Sequence, residues 1–147
     1  MRFKYRGWVA DVDVEATRRA YAEGHRGASV ECGCDECANY IAARDAGYIF
    51  PDEVAKLLSD MGVDLSRESE VVAGGKVGRD SVVYSGWFNL AGQLVSDSGG
   101  PTEVEPGFDL YPMEEGALVD DSFGEVPVFR IEFEVLSPLM DQSKRKR

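Results

Sequence analysis

Histidine is almost absent: His25 is the only one in 147 residues. A Ser-His-Asp or Cys-His hydrolase would have to use it, and no nucleophile is nominated beside it. Cysteine is scarce and odd in number, with Cys32, Cys34 and Cys37 packed into one short stretch. A disulfide framework needs paired cysteines spread along the chain, so reduced thiols are expected instead. Long apolar runs are also missing. No stretch approaches the roughly 20 residues of a spanning helix. Met1 to Arg6 is basic with no apolar segment behind it, which is not the pattern of a secretory leader. These absences give the expectation of a soluble, cytoplasmic protein.

Positive charge is in short supply as well. Sixteen Lys and Arg face 27 Asp and Glu, for a net charge of −11. Four of the sixteen form the C-terminal run Lys144-Arg145-Lys146-Arg147, so the rest of the chain is more acidic still. Such a surface repels phosphate backbones, and nucleic-acid binding is not expected. It suits a basic protein partner through long-range attraction. Residues 1–143 read as one domain and 144–147 as a basic, solvated tail. Gly74-Gly75-Lys76-Val77-Gly78 lacks the spacing and the Ser/Thr of a phosphate loop and reads as a turn. Asp11, Asp13, Asp109, Glu114, Glu115, Asp120 and Asp121 match no calcium-loop spacing and read as a solvated acidic face.

What is present is a change of period partway along the chain. Phe3 and Tyr5 alternate with Lys4 and Arg6. The apolar parity then shifts at Gly7 to Trp8, Ala10 and Val12, which reads as one strand with a bulge over residues 3–12. Asp13 is placed to cap a helix over 14–22, with Gly24 ending it. Residues 24–33 read as loop, and a helix is expected over about 34–45. Phe50-Pro51 opens the clearest helix, in which Val54, Leu57, Leu58 and Met61 follow the i, i+3, i+4, i+7 pattern up to Gly62.

Beyond residue 70 the pattern alternates. Val82, Tyr84, Phe88, Leu90 and Leu94 form one face of a long strand, with Gly86 and Gly92 as bends. Trp87 and Asn89 fall on the opposite face, where they can line a binding groove, or pack beneath helices or beneath the 102–124 segment, the packing being the expectation. That segment is expected to hold short strands around Phe108–Tyr111 and Ala117–Val119. Phe129, Ile131, Phe133 and Val135 alternate with Arg130, Glu132 and Glu134 in the last strand. The fold class that follows is α+β: one antiparallel sheet of about four to six strands with about three helices packed on one face.

Chemistry concentrates in Cys32-Gly33-Cys34-Asp35-Glu36-Cys37. Thiolates are good zinc ligands, and a structural zinc takes a tetrahedron of nitrogen and sulfur donors. Cys32, Cys34 and Cys37 can supply three, and a neutral His25, reached through a glycine-containing loop, the fourth. Cys34-Asp35-Glu36-Cys37 is also a Cys-x-x-Cys at a helix start, which allows a thiol redox reading through Cys34 and Cys37. Asp35 and Glu36 disfavour a thiolate there, and the βαβ context of thioredoxin is missing. Three ordinary reduced cysteines are the third alternative.

The segment Cys32-Gly33-Cys34-Asp35-Glu36-Cys37-Ala38-Asn39-Tyr40, the Phe50-Pro51 helix start, Gly62-Val63-Asp64 and Gly86-Trp87-Phe88 together resemble a set of small bacterial proteins. Their pattern is Cys-x-Cys-x-x-Cys-x-Asn-aromatic, then a Tyr/Phe-Pro helix, Gly-Ile-Asp and a Gly-Trp-aromatic strand. The resemblance spans residues 32–95 and implies a bacterial, cytoplasmic origin. It implies no activity or cofactor, and His25 lies outside its pattern.

Overall fold

The computed structural model describes residues 1–24, 27–97 and 99–140. Its strands are β1 (Arg2–Tyr5), β2 (Trp8–Val12), β3 (Glu70–Val77), β4 (Ser81–Ser96), β5 (Thr102–Glu105), β6 (Phe108–Met113) and β7 (Val128–Pro138). The helices are α1 (Val14–Glu23), α2 (Ala28–Cys32), α3 (Asp35–Asp45) and α4 (Asp52–Asp60), with a 3₁₀ turn at Asp121–Phe123. All strand pairs are antiparallel, in one seven-stranded sheet ordered β1-β2-β4-β7-β6-β5, with β3 also pairing with β4. The α+β class is as the periodicity requires, with one strand more than the expected range. No helix among the described residues is long and apolar enough to cross a membrane.

The alternation in β4 and β7 builds the core. Tyr84, Phe88 and Leu90 from β4 and Phe129, Ile131 and Phe133 from β7 are almost wholly buried on one face. Phe133 is the hub of an aromatic layer: Tyr40, Phe50, Phe88 and Phe108 surround it with ring centroids 5.1 to 6.4 Å away. Tyr40 comes from α3, and Phe50 precedes α4, so these helices seal that face. Gly86 is required by this packing. A Cβ there would stand 2.5 Å from the Glu70 carbonyl oxygen and 2.8 Å from the Phe133 ring.

Helix α1 closes an edge. β4 pairs with β3 up to Trp87 and with β2 from Gly92, which leaves the backbone between them without a strand partner on that edge. The Tyr21 hydroxyl donates to the Asn89 carbonyl at 2.8 Å, and Thr17 Oγ1 accepts from the Ala91 amide at 3.0 Å. The Asp13 amide donates to the Ala91 carbonyl at 2.9 Å. Asp13 also caps α1 as expected, its carboxylate accepting from the Ala16 amide at 3.0 Å.

Several local expectations are corrected. Residues 3–12 are not one bulged strand but a hairpin, with Tyr5 opposite Trp8. Arg6 and Gly7 take φ of 43° and 92°, as a two-residue hairpin turn demands. Residues 28–32 form one helical turn rather than loop. Gly74 to Val77 belong to β3, with a register shift between Ala73 and Gly75. Ala117–Val119 is not a strand.

Candidate metal centre at the α2–α3 elbow

Each cysteine sits at a different point of a helix–glycine–helix elbow. Cys32 is the last residue of α2. Gly33 follows in the left-handed conformation, φ 71°, a geometry that costs glycine little and ends the turn. Cys34 is extended and caps α3, its Sγ accepting from the Cys37 amide at 3.4 Å. Cys37 lies in the first turn of α3 and is buried, whereas Cys32 is exposed. All three are free thiols. Their Sγ atoms lie within 4.8 Å of one another, the only such group of three or more donors among the described residues. Thiolates on a common tetrahedral zinc, with Zn–S of about 2.3 Å, are about 3.8 Å apart, so small side-chain adjustments suffice. His25 lies outside the described residues.

The thiols are not equivalent. Hydrogen bonds from Cys34, then from Cys37, lower the Cys32 thiol pKa, against an opposing charge from Glu36. Burial pushes the Cys37 thiol up, and its two cysteine neighbours push in the same direction. A Cys34–Cys37 exchange couple would therefore have its second thiol shielded and protonated. A cation placed among the three sulfurs reverses that penalty, because a metal favours the thiolate outright.

The elbow rests on a buried carboxylate that the sequence did not flag. Glu68 is 2% exposed and lies in the polar run Ser66 to Glu70. Its Oε1 accepts from the Ser29 amide at 2.9 Å and also from the Ser29 hydroxyl. Its Oε2 faces the Arg44 guanidinium at 3.5 Å. Glu68 thus ties the first turn of α2 to the last turn of α3. Nothing local announces this, since the same five residues would read as solvated anywhere else. The adjoining cavity, about 70 Å³ and lined in part by Tyr21, Arg67, Glu68 and Ser122, has room for ordered water rather than an organic ligand.

Asn39, one turn along α3, fastens the elbow to the end of β7. Its amide donates to the Tyr84 hydroxyl at 3.1 Å and the Pro138 carbonyl at 3.3 Å, and its oxygen accepts from the Met140 amide at 2.8 Å. Trp87 and Asn89 pack beneath the 102–124 segment, as expected. Both donate to the Ala117 carbonyl, at 3.0 and 2.9 Å. No family model, curated protein or solved structure matches the chain.

Proposed function

We propose that this is a non-enzymatic, acidic binding domain whose α2–α3 elbow is held by a structural zinc ion on Cys32, Cys34 and Cys37. The observation that carries the reading is the convergence of three sulfurs within 4.8 Å across a helix–glycine–helix junction. Three thiolates select a soft or borderline ion over calcium or magnesium. They over-neutralise a dication, so a neutral donor such as His25 suits the fourth place better than Asp35 or Glu36. The non-enzymatic part draws support from the buried polar side chains. Thr17, Ser29, Asn39, Glu68, Asn89 and Ser137 all have partners that hold backbone or another element in place.

Elemental analysis of protein purified without a histidine tag tests the metal. The expected result is about one zinc per chain, lost on substituting Cys37 with alanine. Chelation should raise amide exchange across residues 27–45 and leave residues 128–138 protected. A zinc ratio near zero, with all three thiols titrating freely in the native protein, sinks the metal centre.

A further inference from the structure

The helices cover the sheet on the side of Phe88, Phe108 and Phe133. Among the described residues, the opposite side of β3, β4, β7, β6 and β5 is roofed at one end only. There residues 115–117 lie across it, with Ala117 taking the bonds from Trp87 and Asn89, and Arg130 donating to the Glu115 carbonyl at 2.6 Å. Among the described residues, no element covers the rest of that side. Val72 and Leu136 are 53% and 44% exposed on it. Val83 and Tyr111 are half-buried beside them.

The register arranges charge on this surface in an unfavourable way. Glu103 is directly opposite Asp109, and Asp109 is directly opposite Glu134. Carboxylates of three adjacent strands therefore stand in one row, and like charges directly opposite each other destabilise a sheet. Glu132 joins them two residues along β7, opposite Tyr111. The Tyr111 phenol pKa is pushed up to about 12, by burial first and then by Glu132. Arg130 is the only basic side chain these strands place on this side. It is already engaged, with Glu132 at 2.5 Å and the Trp87 ring at 5.7 Å.

We propose that this uncovered sheet face, around Asp109, Glu132, Glu134 and Leu136, docks a lysine- or arginine-rich segment of another protein. The proposal rests on the reading of the chain as a binding domain, and it names the surface and the chemistry of the partner. Charge decides among occupants. A second copy would bring the same carboxylate row against itself, and a nucleic acid would bring phosphates. A basic segment relieves the repulsion with its head groups, while its aliphatic stems cover Val72, Val83 and Leu136.

The probe is a short fluorescent peptide of alternating lysine and valine, titrated at low and at high salt. Neutralising the row (Asp109→Asn, Glu132→Gln, Glu134→Gln) should weaken binding about tenfold or more, and removing three charges elsewhere (Glu15→Gln, Asp45→Asn, Asp60→Asn) less than about threefold. Amide shifts in the unmodified chain should map to residues 83–85, 109–111 and 132–136, a readout that needs no variant. Saturable binding with equal weakening in both variants, or with shifts elsewhere, overturns the face and leaves the binding-domain reading standing. No saturable binding overturns both. Shifts of the same residues with protein concentration alone would make a second copy the occupant. Binding only after removal of residues 144–147 would make it the chain's own tail. Either result overturns the proposal.

Discussion

Helix α3 joins two regions held by different kinds of force. Through Tyr40 it enters the aromatic layer, where Phe133 touches four rings and no single contact dominates. At its N-terminal end it forms the elbow, where three thiols converge, and at its C-terminal end it reaches Glu68 through Arg44. The aromatic layer is redundant, because dispersion and apolar burial are non-directional and sum over many neighbours. The elbow is not redundant. α2 is five residues long, too short to persist without tertiary partners. The comparison teaches where each kind of change should be felt: throughout the domain for the layer, and locally for the elbow.

The largest effect expected is that of Phe133→Ala. It removes the hub of the layer and leaves a cavity that the rigid sheet cannot fill. The cost should be about 3–5 kcal/mol of global stability, read from urea unfolding. A loss below about 1.5 kcal/mol would mean that the layer repacks freely and is not the rigid partner in the comparison.

The layer was legible in the sequence and most of the elbow was not. Phe129, Ile131, Phe133 and Val135 alternate because β7 has one buried and one wetter face, and that alternation is written residue by residue. Val54, Leu57, Leu58 and Met61 announce α4 for the same reason. The clustering of the thiols could also be read, since a few residues of chain cannot carry them far apart. Glu68 could not. Its burial depends on α2 and α3 closing over it from elsewhere in the chain. α2 itself is too short to show a period. β3 was missed because Val72 to Val77 are exposed, so no apolar alternation is imposed on them. The β1–β2 turn was misread because a two-residue hairpin and a bulge both shift apolar parity at a glycine. Only the positive φ of Arg6 separates them.

Glu68→Ala tests the elbow from its buried side. It leaves the Arg44 guanidinium, whose side chain is only 11% exposed, with only the exposed Asp45 carboxylate at 3.3 Å, and the Ser29 amide without its acceptor. Breaking a buried pair from one side costs about 3–5 kcal/mol, and the lower end is expected here because Arg44 lies near the surface. The distribution matters more than the total. Amide exchange should rise first in residues 27–45, ahead of β4 and β7. Uniform acceleration across the sheet would show that the elbow and the layer unfold as one unit.

The smallest effect separates a metal ligand from a helix cap by its sign. Cys34 Sγ accepts from the Cys37 amide at 3.4 Å, which is long for a cap because sulfur is large and a weak acceptor. Serine is among the preferred residues at this position, and its oxygen bonds an amide at about 2.9–3.0 Å. If Cys34 only caps α3, Cys34→Ser should stabilise the protein by a few tenths of a kcal/mol, roughly the lower end of measured capping differences. If Cys34 also holds zinc, the result depends on the metal. The metal-free variant should match or slightly exceed the metal-free parent in melting temperature. With zinc supplied, the parent should gain stability and the variant should not, because a neutral hydroxyl is a poor substitute for a thiolate on this ion. The two curves should therefore cross as zinc is added. Parallel curves, with serine the more stable at every zinc concentration, would reduce Cys34 to a cap and leave the elbow to Glu68 alone.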